Sequence, residues 1–381
     1  MLKAIKNAKV VHERGIIWDG VIVISDGRIL DFGKKEDVEI PDGAEIIDAE
    51  GAYVGPGFVD IHVHGGGGFS TCFNAEEAGE FFLKHGTTSF LATPSYHMNL
   101  DRLINATKAI KESMPKVKTL KGIYMEAPYT NPNYGSHSYD NPWRHGIVPE
   151  EYKQFVDVAG KDVLVWTIAP ELEGIYGFAK YAREVNPDVK FAVGHSKALP
   201  SEIRALGKYR PTLQTHSMNA TGRQPVPGGT RDFGPDEYCF KEPDVYTELI
   251  SDSLGIHVNT EMQELLIHMK GVHRVILITD STVHNNPNPE KFAGVPDLNF
   301  DAKGGIAGSK MTMEQACKNV MQHTTCGIAE AFLMASTNPA KAVGLDDEVG
   351  SIAKGKAADL VFVDDVFNVK KVILGGEICN F

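Results

Sequence analysis

The stretch GFVDIHVHGGGG, residues 57–68, reads as a buried strand that ends in two histidines and is followed at once by four glycines. Successive side chains of a strand point to opposite faces, so Asp60, His62 and His64 are predicted to share one face. Either this face binds a metal ion, or three polar groups share one side of an otherwise apolar strand for no evident reason.

Seven further β-type runs follow this stretch, and they alternate with helical patterns. This alternation favours a parallel sheet built from βα units. The eight runs are GFVDIHVH, TSFLATP, TLKGIYMEAP, VLVWTIAP, KFAVGHS, PTLQTHSMN, DVYTELIS and RVILITDST. Eight is the number that closes a (β/α)8 barrel. A doubly wound open sheet is the alternative, but no G-x-G-x-x-G follows the first strand. We predict an α/β protein with a TIM-type barrel.

Both chain ends have a different character, with short β-type runs separated by turns. Neither end could bury a sheet face alone, because a few strands need a partner layer. We therefore predict a small β-sandwich domain formed by residues 1–53 and 346–381, with the barrel inserted between them at residues 54–345.

The composition of the 381 residues is that of a soluble globular protein, with 42% hydrophobic and 23% charged residues. No apolar stretch of about 20 residues could span a bilayer, and no signal peptide is evident, so we expect a cytoplasmic protein without a membrane partner. The net charge of −12 argues against a nucleic-acid partner, which would require clustered cations. Five scattered cysteines are expected to be reduced thiols.

Polar residues stand where the predicted strands end. The carboxyl ends of barrel strands meet at one mouth, where active sites are built. A single histidine there would be read as a hydrogen-bonded core residue, but imidazoles and carboxylates together suit a divalent transition metal such as Zn, Fe, Mn or Co. The strand-end residues are His62, His64, Glu126, His195, His216 and Asp280.

An ordered series of motifs also runs along nearly the whole chain. The series comprises GPGFVDIHVHGG, MEAP, APE, GHS, THSMNA, ITDST and NPAKAVGLDDEVGSIAKGKAADLVFVD. With these motifs the chain resembles the amidohydrolase superfamily and, within it, the N-acetylglucosamine-6-phosphate deacetylase family. The resemblance implies hydrolysis of the N-acetyl group of N-acetylglucosamine 6-phosphate to glucosamine 6-phosphate and acetate.

The resemblance assigns metal ligands residue by residue. It makes Glu126, His195 and His216 the ligands of one metal, with an open position for water. Because the sequence also keeps His62 and His64, a second metal that shares Glu126 is expected. One or two divalent ions per subunit follow from this reading.

The resemblance also implies two catalytic side chains. Asp280 would take a proton from the attacking water and deliver it to the leaving amine; its alternative role is a helix N-cap before Ser281. His137 would polarise the amide carbonyl; taken alone, it would be an exposed loop histidine.

For the substrate, the resemblance places the phosphate on Arg223 and His257, and the sugar on a turn at Asn219 and Ala220. The family's arginine often comes from the neighbouring subunit, so a homodimer is expected. Arg suits phosphate because its planar fork donates two hydrogen bonds at once.

Departures from the family pattern lie on the substrate side. The segment 224–243 is longer than expected, and Arg231 within it is a second basic candidate, although a surface arginine is the alternative. Other substrates therefore stay open, namely another N-acyl amino sugar or its phosphate, such as the galacto epimer, or an N-acyl amino acid. A non-catalytic assembly protein on the same barrel is a reading from a different class.

Overall fold

The computed structural model describes residues 2–136, 140–222, 233–283 and 287–381. The chain begins with five strands. The five are β1 (Leu2–His12), β2 (Gly15–Ser25), β3 (Arg28–Lys34), β4 (Glu45–Asp48) and β5 (Tyr53–Pro56). Their buried residues are mainly valine, isoleucine and alanine, and in β2 they form one continuous run, Gly20–Ile24.

A parallel eight-stranded sheet follows, in which each strand pairs with the next one along the chain. The elements of this region are β6 (Phe58–Val63), β7 (Gly65–Gly66), β8 (Phe69–Ser70), β9 (Thr87–Ala92), β10 (Leu120–Met125), β11 (Val163–Ile168), β12 (Lys190–Val193), β13 (Leu213–Gln214), β14 (Tyr246–Leu249) and β15 (Val275–Leu277). A short hairpin of two strands, β7 and β8, each of two residues, is inserted after the first strand of this sheet. Each of the eight sheet strands overlaps one predicted run.

Hydrogen bonds just beyond β15 join the last strand of the sheet to the first. The Asp280 amide donates to the carbonyl of His62 at 3.0 Å. The amides of His64 and Gly65 donate to the carbonyl of Ser281 at 2.8 and 3.0 Å. The sheet is therefore closed, which confirms the (β/α)8 barrel and rules out the open doubly wound sheet. Closure also brings the end of β6 beside Asp280.

Helices cover the outside of the barrel. The helices are α1 (Ala75–Lys84), α2 (Leu100–Ser113), α3 (Pro149–Ala159), α4 (Ile175–Val185), α5 (Pro200–Ala205), α6 (Pro235–Lys241), α7 (Thr260–Lys270), α8 (Met313–His323), α9 (Ile328–Phe332) and α10 (Asn338–Val343). None of these helices has both the length and the apolar character that crossing a bilayer requires. The sequence shows helical periodicity at residues 75–86, 100–114 and 261–271, and each of these segments contains or overlaps a helix, namely α1, α2 and α7.

Helix α6 lies within the segment 224–243. Pro235 begins this helix, at a position where the missing N–H of proline removes no helical hydrogen bond. The described part of the enlarged segment is thus regular structure that packs on the barrel.

The carboxyl-terminal strands complete the first sheet. A hairpin of β16 (Leu298–Phe300) and β17 (Ile306–Ser309) precedes them, and they are β18 (Leu360–Val363), β19 (Val369–Leu374) and β20 (Glu377–Ile378). β18 pairs antiparallel with β5, so both chain ends share one eight-stranded sheet, as expected. β5 begins at Tyr53, the last residue of the predicted amino-terminal part. The division of the chain at residues 53 and 345 stays a prediction.

An aromatic cluster seals the amino-terminal end of the barrel against this sheet. Phe332 lies with its ring centroid 5.7 Å from that of Phe58 and 5.1 Å from that of Phe367. All three rings are buried. Gly55 is required beside them, because a Cβ at this position would lie 2.3 Å from the Phe332 ring. With this end closed by packing, the open end of the barrel is the carboxyl-terminal one.

Candidate metal and catalytic site

A cavity of about 540 Å³ opens at the carboxyl-terminal end of the barrel. Eight residues that the sequence singles out line it: His64, Glu126, His195, His216, Asn219, Ala220, His257 and Asp280. His62 lies beneath the cavity floor and is fully buried. The structure thus brings together every predicted site residue that it describes.

Glu126 is the centre of this arrangement. It follows β10 directly, and its Oε1 lies 2.7 Å from Nε2 of His195 and 3.1 Å from Nε2 of His216. Its other oxygen, Oε2, lies 3.3 Å from Nε2 of His64. Nε2 of His62 is 3.8 Å from Oε1. The carboxylate therefore faces four imidazoles.

The opposite ring nitrogens of three imidazoles are held by backbone carbonyls. In His64, Nδ1 donates to the carbonyl of Thr93 at 2.9 Å. In His195 and His216, Nδ1 donates at 3.2 Å to the carbonyls of Tyr134 and Asn219 respectively. A donor at Nδ1 leaves the lone pair of a neutral imidazole on Nε2. The lone pairs accordingly point toward Glu126.

This donor set fits a divalent metal ion. Nε2 of His195 and Nε2 of His216 are only 3.0 Å apart, so two protonated rings would repel each other, whereas two lone pairs can share a cation. Nε2 of His62 is buried and has no hydrogen-bond partner among the described residues. Two ligand groups of suitable spacing share Glu126, one with His62 and His64 and the other with His195 and His216. Nitrogen and oxygen donors of this kind suit Zn, Fe, Mn or Co.

The pKa shifts of these side chains also indicate that positive charge is stabilised between them. Burial disfavours the charged form of His64, but hydrogen bonds to Asp280 and Glu126 outweigh burial and raise the pKa of His64 to about 10. The same balance, with Glu126 as the main partner, raises the pKa of His216 to about 9. Although burial alone would raise it, the charge and hydrogen bond of His195 hold the pKa of Glu126 well below its usual range.

Asp280 stands beside the metal-ligating groups without belonging to either of them. Its Oδ1 lies 3.3 Å from Nε2 of His64 and 3.8 Å from Nε2 of His62. Burial would raise the pKa of this carboxyl, but the hydrogen bond from His64 and the charge of His62 lower it. An ionised carboxylate at the cavity wall is suited to accept a proton.

Strained backbone accompanies these side chains. His195, His216 and Asp280 have positive φ angles of 44°, 25° and 47°, a region that non-glycine residues seldom adopt. Such strain persists only where surrounding contacts over-determine the conformation, and it clusters at functional sites. Gly135 lies directly against one of these side chains, since a Cβ on it would be 2.5 Å from Nδ1 of His195.

On the substrate side, the structure brings His257 next to the Asn219 turn. Nδ1 of His257 lies 2.9 Å from Oδ2 of Asp252, and Nε2 lies 3.2 Å from the carbonyl of Gly308. The Asn219 side-chain amide donates to the His257 carbonyl at 3.5 Å. Burial disfavours the Asp252 carboxylate, but its hydrogen bond with His257 outweighs burial and lowers the pKa of Asp252 to about 2. The ring of His257 therefore faces a charged carboxylate.

Comparison with known proteins places the chain in a family. The sequence profile of the Amidohydrolase family matches residues 53–379. The chain belongs to the amidohydrolase family. The superfamily expected from the ordered motifs is confirmed by this match.

Individual relatives of this amidohydrolase match it over nearly its whole length. N-acetylglucosamine-6-phosphate deacetylase of Bacillus subtilis (strain 168) is 29% identical over 398 residues, covering 98% of this chain and 96% of the relative. N-acetylgalactosamine-6-phosphate deacetylase of Escherichia coli O157:H7 is 26% identical, with complete coverage of both chains. The crystal structure of N-acetylglucosamine-6-phosphate deacetylase from Pasteurella multocida superposes with a TM-score of 0.85 at 26% identity, again with complete coverage of both.

Three predicted residues of this amidohydrolase lie outside the described residues. They are His137, Arg223 and Arg231. Their roles therefore stay predictions.

Asp60 shares the strand face of His62 and His64 in the sequence pattern, but it belongs to neither ligand group. Its Oδ2 instead accepts from the Thr279 hydroxyl at 2.5 Å. Sequence reasoning did not identify Asp236 of α6, which accepts from the Met218 amide at 3.0 Å and the Thr221 hydroxyl at 2.6 Å and braces the turn that carries His216. No local pattern marks Asp236, because these partners are 18 and 15 positions away in sequence.

Proposed function

We propose that this amidohydrolase removes the N-acetyl group of N-acetylglucosamine 6-phosphate and yields glucosamine 6-phosphate and acetate. The observation that carries the proposal is the pair of ligand groups sharing Glu126, with Asp280 beside them at the cavity wall. The activities named for relatives of equal length support the substrate class.

Glu126, His195 and His216 would hold one divalent transition metal, and His62 and His64 with Glu126 a second. Such an ion, when bound, supplies Lewis acidity, which lowers the pKa of water and polarises a carbonyl. Zn, Fe, Mn and Co all suit this donor set.

Asp280 is the proton carrier in the proposed reaction. Its carboxylate accepts a proton from water as the water oxygen forms a bond to the amide carbonyl carbon. It then donates that proton to the amide nitrogen as the C–N bond breaks, so the amine leaves neutral, and the acetic acid formed loses its remaining proton to solvent to give acetate. Oδ1 of Asp280 lies 3.3 Å from Nε2 of His64, so the carboxylate stands next to the proposed site of His62 and His64. We assign polarisation of the carbonyl oxygen to His137.

Acetate release tests the proposal directly. With the metal-loaded protein, we expect turnover of N-acetylglucosamine 6-phosphate and a kcat/KM for the unphosphorylated sugar that is lower by one to two orders of magnitude. The physical reason is the loss of charge-assisted hydrogen bonds to phosphate, at about 1.5–3 kcal/mol. The galacto epimer and an N-acyl amino acid belong in the same panel, because the E. coli relative bears the name of a galactosamine enzyme.

The results discriminate among the substrate classes. Preference for the galacto epimer would keep the reaction and change the sugar, whereas preference for an N-acyl amino acid would refute the phosphate site. Absence of hydrolysis with any acyl substrate, in protein that carries metal, would favour the assembly-protein reading.

The phosphate is expected to bind a small number of cations in a chain whose net charge is −12. Arg223, His257 and the turn at Asn219 and Ala220 are the proposed contacts. Arg102, at the start of α2, is the one lysine or arginine among the described residues that line the cavity. It is therefore a second candidate that the sequence patterns did not indicate.

Single substitutions separate these two arginines. Arg223→Ala is expected to raise KM for the phosphorylated sugar 10- to 100-fold and to change hydrolysis of the unphosphorylated sugar little, because one charged hydrogen-bond donor is lost. The matched Arg102→Ala should leave KM within a few-fold. The reverse result would move the phosphate to the α2 side of the cavity, and an equal loss on both sugars would give Arg223 a structural role.

We further propose that the protein is a cytoplasmic homodimer in which Arg223 reaches the partner's cavity. Dilution below the dimer dissociation constant should then raise KM for the phosphorylated sugar as Arg223→Ala does. Activity independent of protein concentration, with sedimentation showing a monomer, would contradict the shared site.

A further inference from the structure

A buried carboxylate lies below the cavity, outside both ligand groups. Glu248 belongs to β14 and is completely shielded from solvent. Its Oε2 lies 3.1 Å from Nδ1 of His62 and accepts from the backbone amide of His216 at 3.1 Å. One oxygen atom therefore contacts a residue of each ligand group.

No cationic side chain compensates Glu248. Within the described ranges, its only ion-pair partner is His62. Its second oxygen, Oε1, is buried and has no hydrogen-bond partner among the described residues. A buried carboxylate without compensation is costly, so its retention requires positive charge nearby. Such a charge would lie at Nε2 of His62, across the imidazole ring from Glu248.

We propose that Glu248 is a positioning residue that secures the metal site formed by His62 and His64. This inference rests on the metal centre of the proposed function. Glu248 accepts the Nδ1 proton of His62, so that the lone pair on Nε2 is presented toward Glu126 and Asp280. Among the Nδ1 partners of the four histidines, it is the one carboxylate; the other three are backbone carbonyls.

The packing around His62 makes this hydrogen bond decisive for its orientation. Tyr124 stacks on the His62 ring, with centroids 4.6 Å apart and planes inclined by 28°. The Tyr124 hydroxyl is itself engaged with the Thr215 hydroxyl at 2.9 Å. Stacking limits tilting of the ring but permits rotation in its plane, and the contact with Glu248 selects which nitrogen faces the cavity.

The net charge of the buried carboxylates also supports this role of Glu248. Glu126, Asp280 and Glu248 together carry three negative charges when the imidazoles are neutral, and in the described chain none of the three pairs with a lysine or arginine. One divalent ion would leave this buried group negative. Two divalent ions bring it close to neutrality with one positive charge in excess, which favours an anionic substrate. Glu248 thus favours occupancy of both sites.

Metal titration of three variants tests the inference. Protein stripped of metal is titrated with Zn²⁺ against a chromophoric chelator, and stoichiometry is checked by elemental analysis. Glu248→Leu removes both the acceptor and the charge, whereas Glu248→Gln keeps an oxygen that can accept from His62 and removes only the charge. Thr247→Val is the matched control, because it removes a buried hydroxyl from the same strand on the opposite face.

We expect the unmodified protein to bind two equivalents and Glu248→Leu to bind the second equivalent 10- to 100-fold more weakly, with the first affinity little changed. Glu248→Gln should lie between them, and Thr247→Val should match the unmodified protein. The thermal midpoint of each metal-free variant controls for unfolding. General destabilisation would not weaken the affinity for the second equivalent while leaving the affinity for the first little changed.

Two outcomes would overturn the inference: two equivalents bound with unchanged affinity by both Glu248 variants, or one equivalent bound by the unmodified protein at saturation. Because binding is measured without substrate, these outcomes are independent of the proposed reaction. A protein that binds two ions through Glu248 but releases no acetate would refute the reaction and keep this inference.

Discussion

Replacing His195 with asparagine is expected to abolish metal binding at the group formed by Glu126, His195 and His216, and to lower kcat/KM by at least about 1,000-fold. The substitution removes the Nε2 atom of His195, a proposed metal ligand that lies 2.7 Å from Oε1 of Glu126. Lewis-acid activation contributes several kcal/mol of transition-state stabilisation, and each 1.36 kcal/mol is a factor of ten in rate.

Asparagine is the appropriate replacement because His195 has a φ of 44°, and asparagine tolerates this left-handed region better than most residues. Elemental analysis and acetate release are measured on the same preparation. His85→Asn is the matched control, since His85 contacts Glu314 at 2.6 Å and does not line the cavity. A His195→Asn protein that keeps both full metal content and full activity would refute the ligand assignment.

Replacing Asp280 with asparagine is expected to lower kcat by about 100- to 10,000-fold, the range for loss of a positioned acid or base. Asparagine has the same shape and tolerates the φ of 47°, but it cannot accept the proton. Since Asp280 belongs to neither ligand group, metal content and KM are expected to change little. The decisive combination is normal metal content with almost no turnover.

Asp301→Asn is a suitable control for Asp280→Asn. Asp301 is also buried, and its Oδ1 accepts from the amides of Lys303 and Gly305, a role that asparagine can retain. Full activity of Asp280→Asn would move proton transfer to another group. Loss of metal together with activity would instead make Asp280 a ligand.

The order of elements was predictable from local patterns. Eight apolar runs alternating with helical periodicity predicted the barrel, and each overlaps an observed strand. The same holds for the β-type chain ends, which pair through β5 and β18. These features depend on hydrophobic periodicity over a few residues, a property that is present in the sequence itself.

The segment 224–243 shows where this reasoning was incomplete. Its sequence shows only that it is longer than expected, yet residues 235–241 form α6. A seven-residue helix has too few turns to show a reliable period, and its stability comes from packing and from contacts such as that of Asp236 with the Met218 amide.

By itself, the sequence determined the strand order and the chemical types at the strand ends, including His62, His64, Glu126, His195 and His216. Barrel topology makes such a prediction possible, because the carboxyl ends of all parallel strands must meet at one mouth. Only the tertiary structure decided which atoms face one another. The contact of His62 with Glu248 joins residues 186 positions apart, and its 3.1 Å separation depends on strand register and rotamers, to which no local periodicity corresponds.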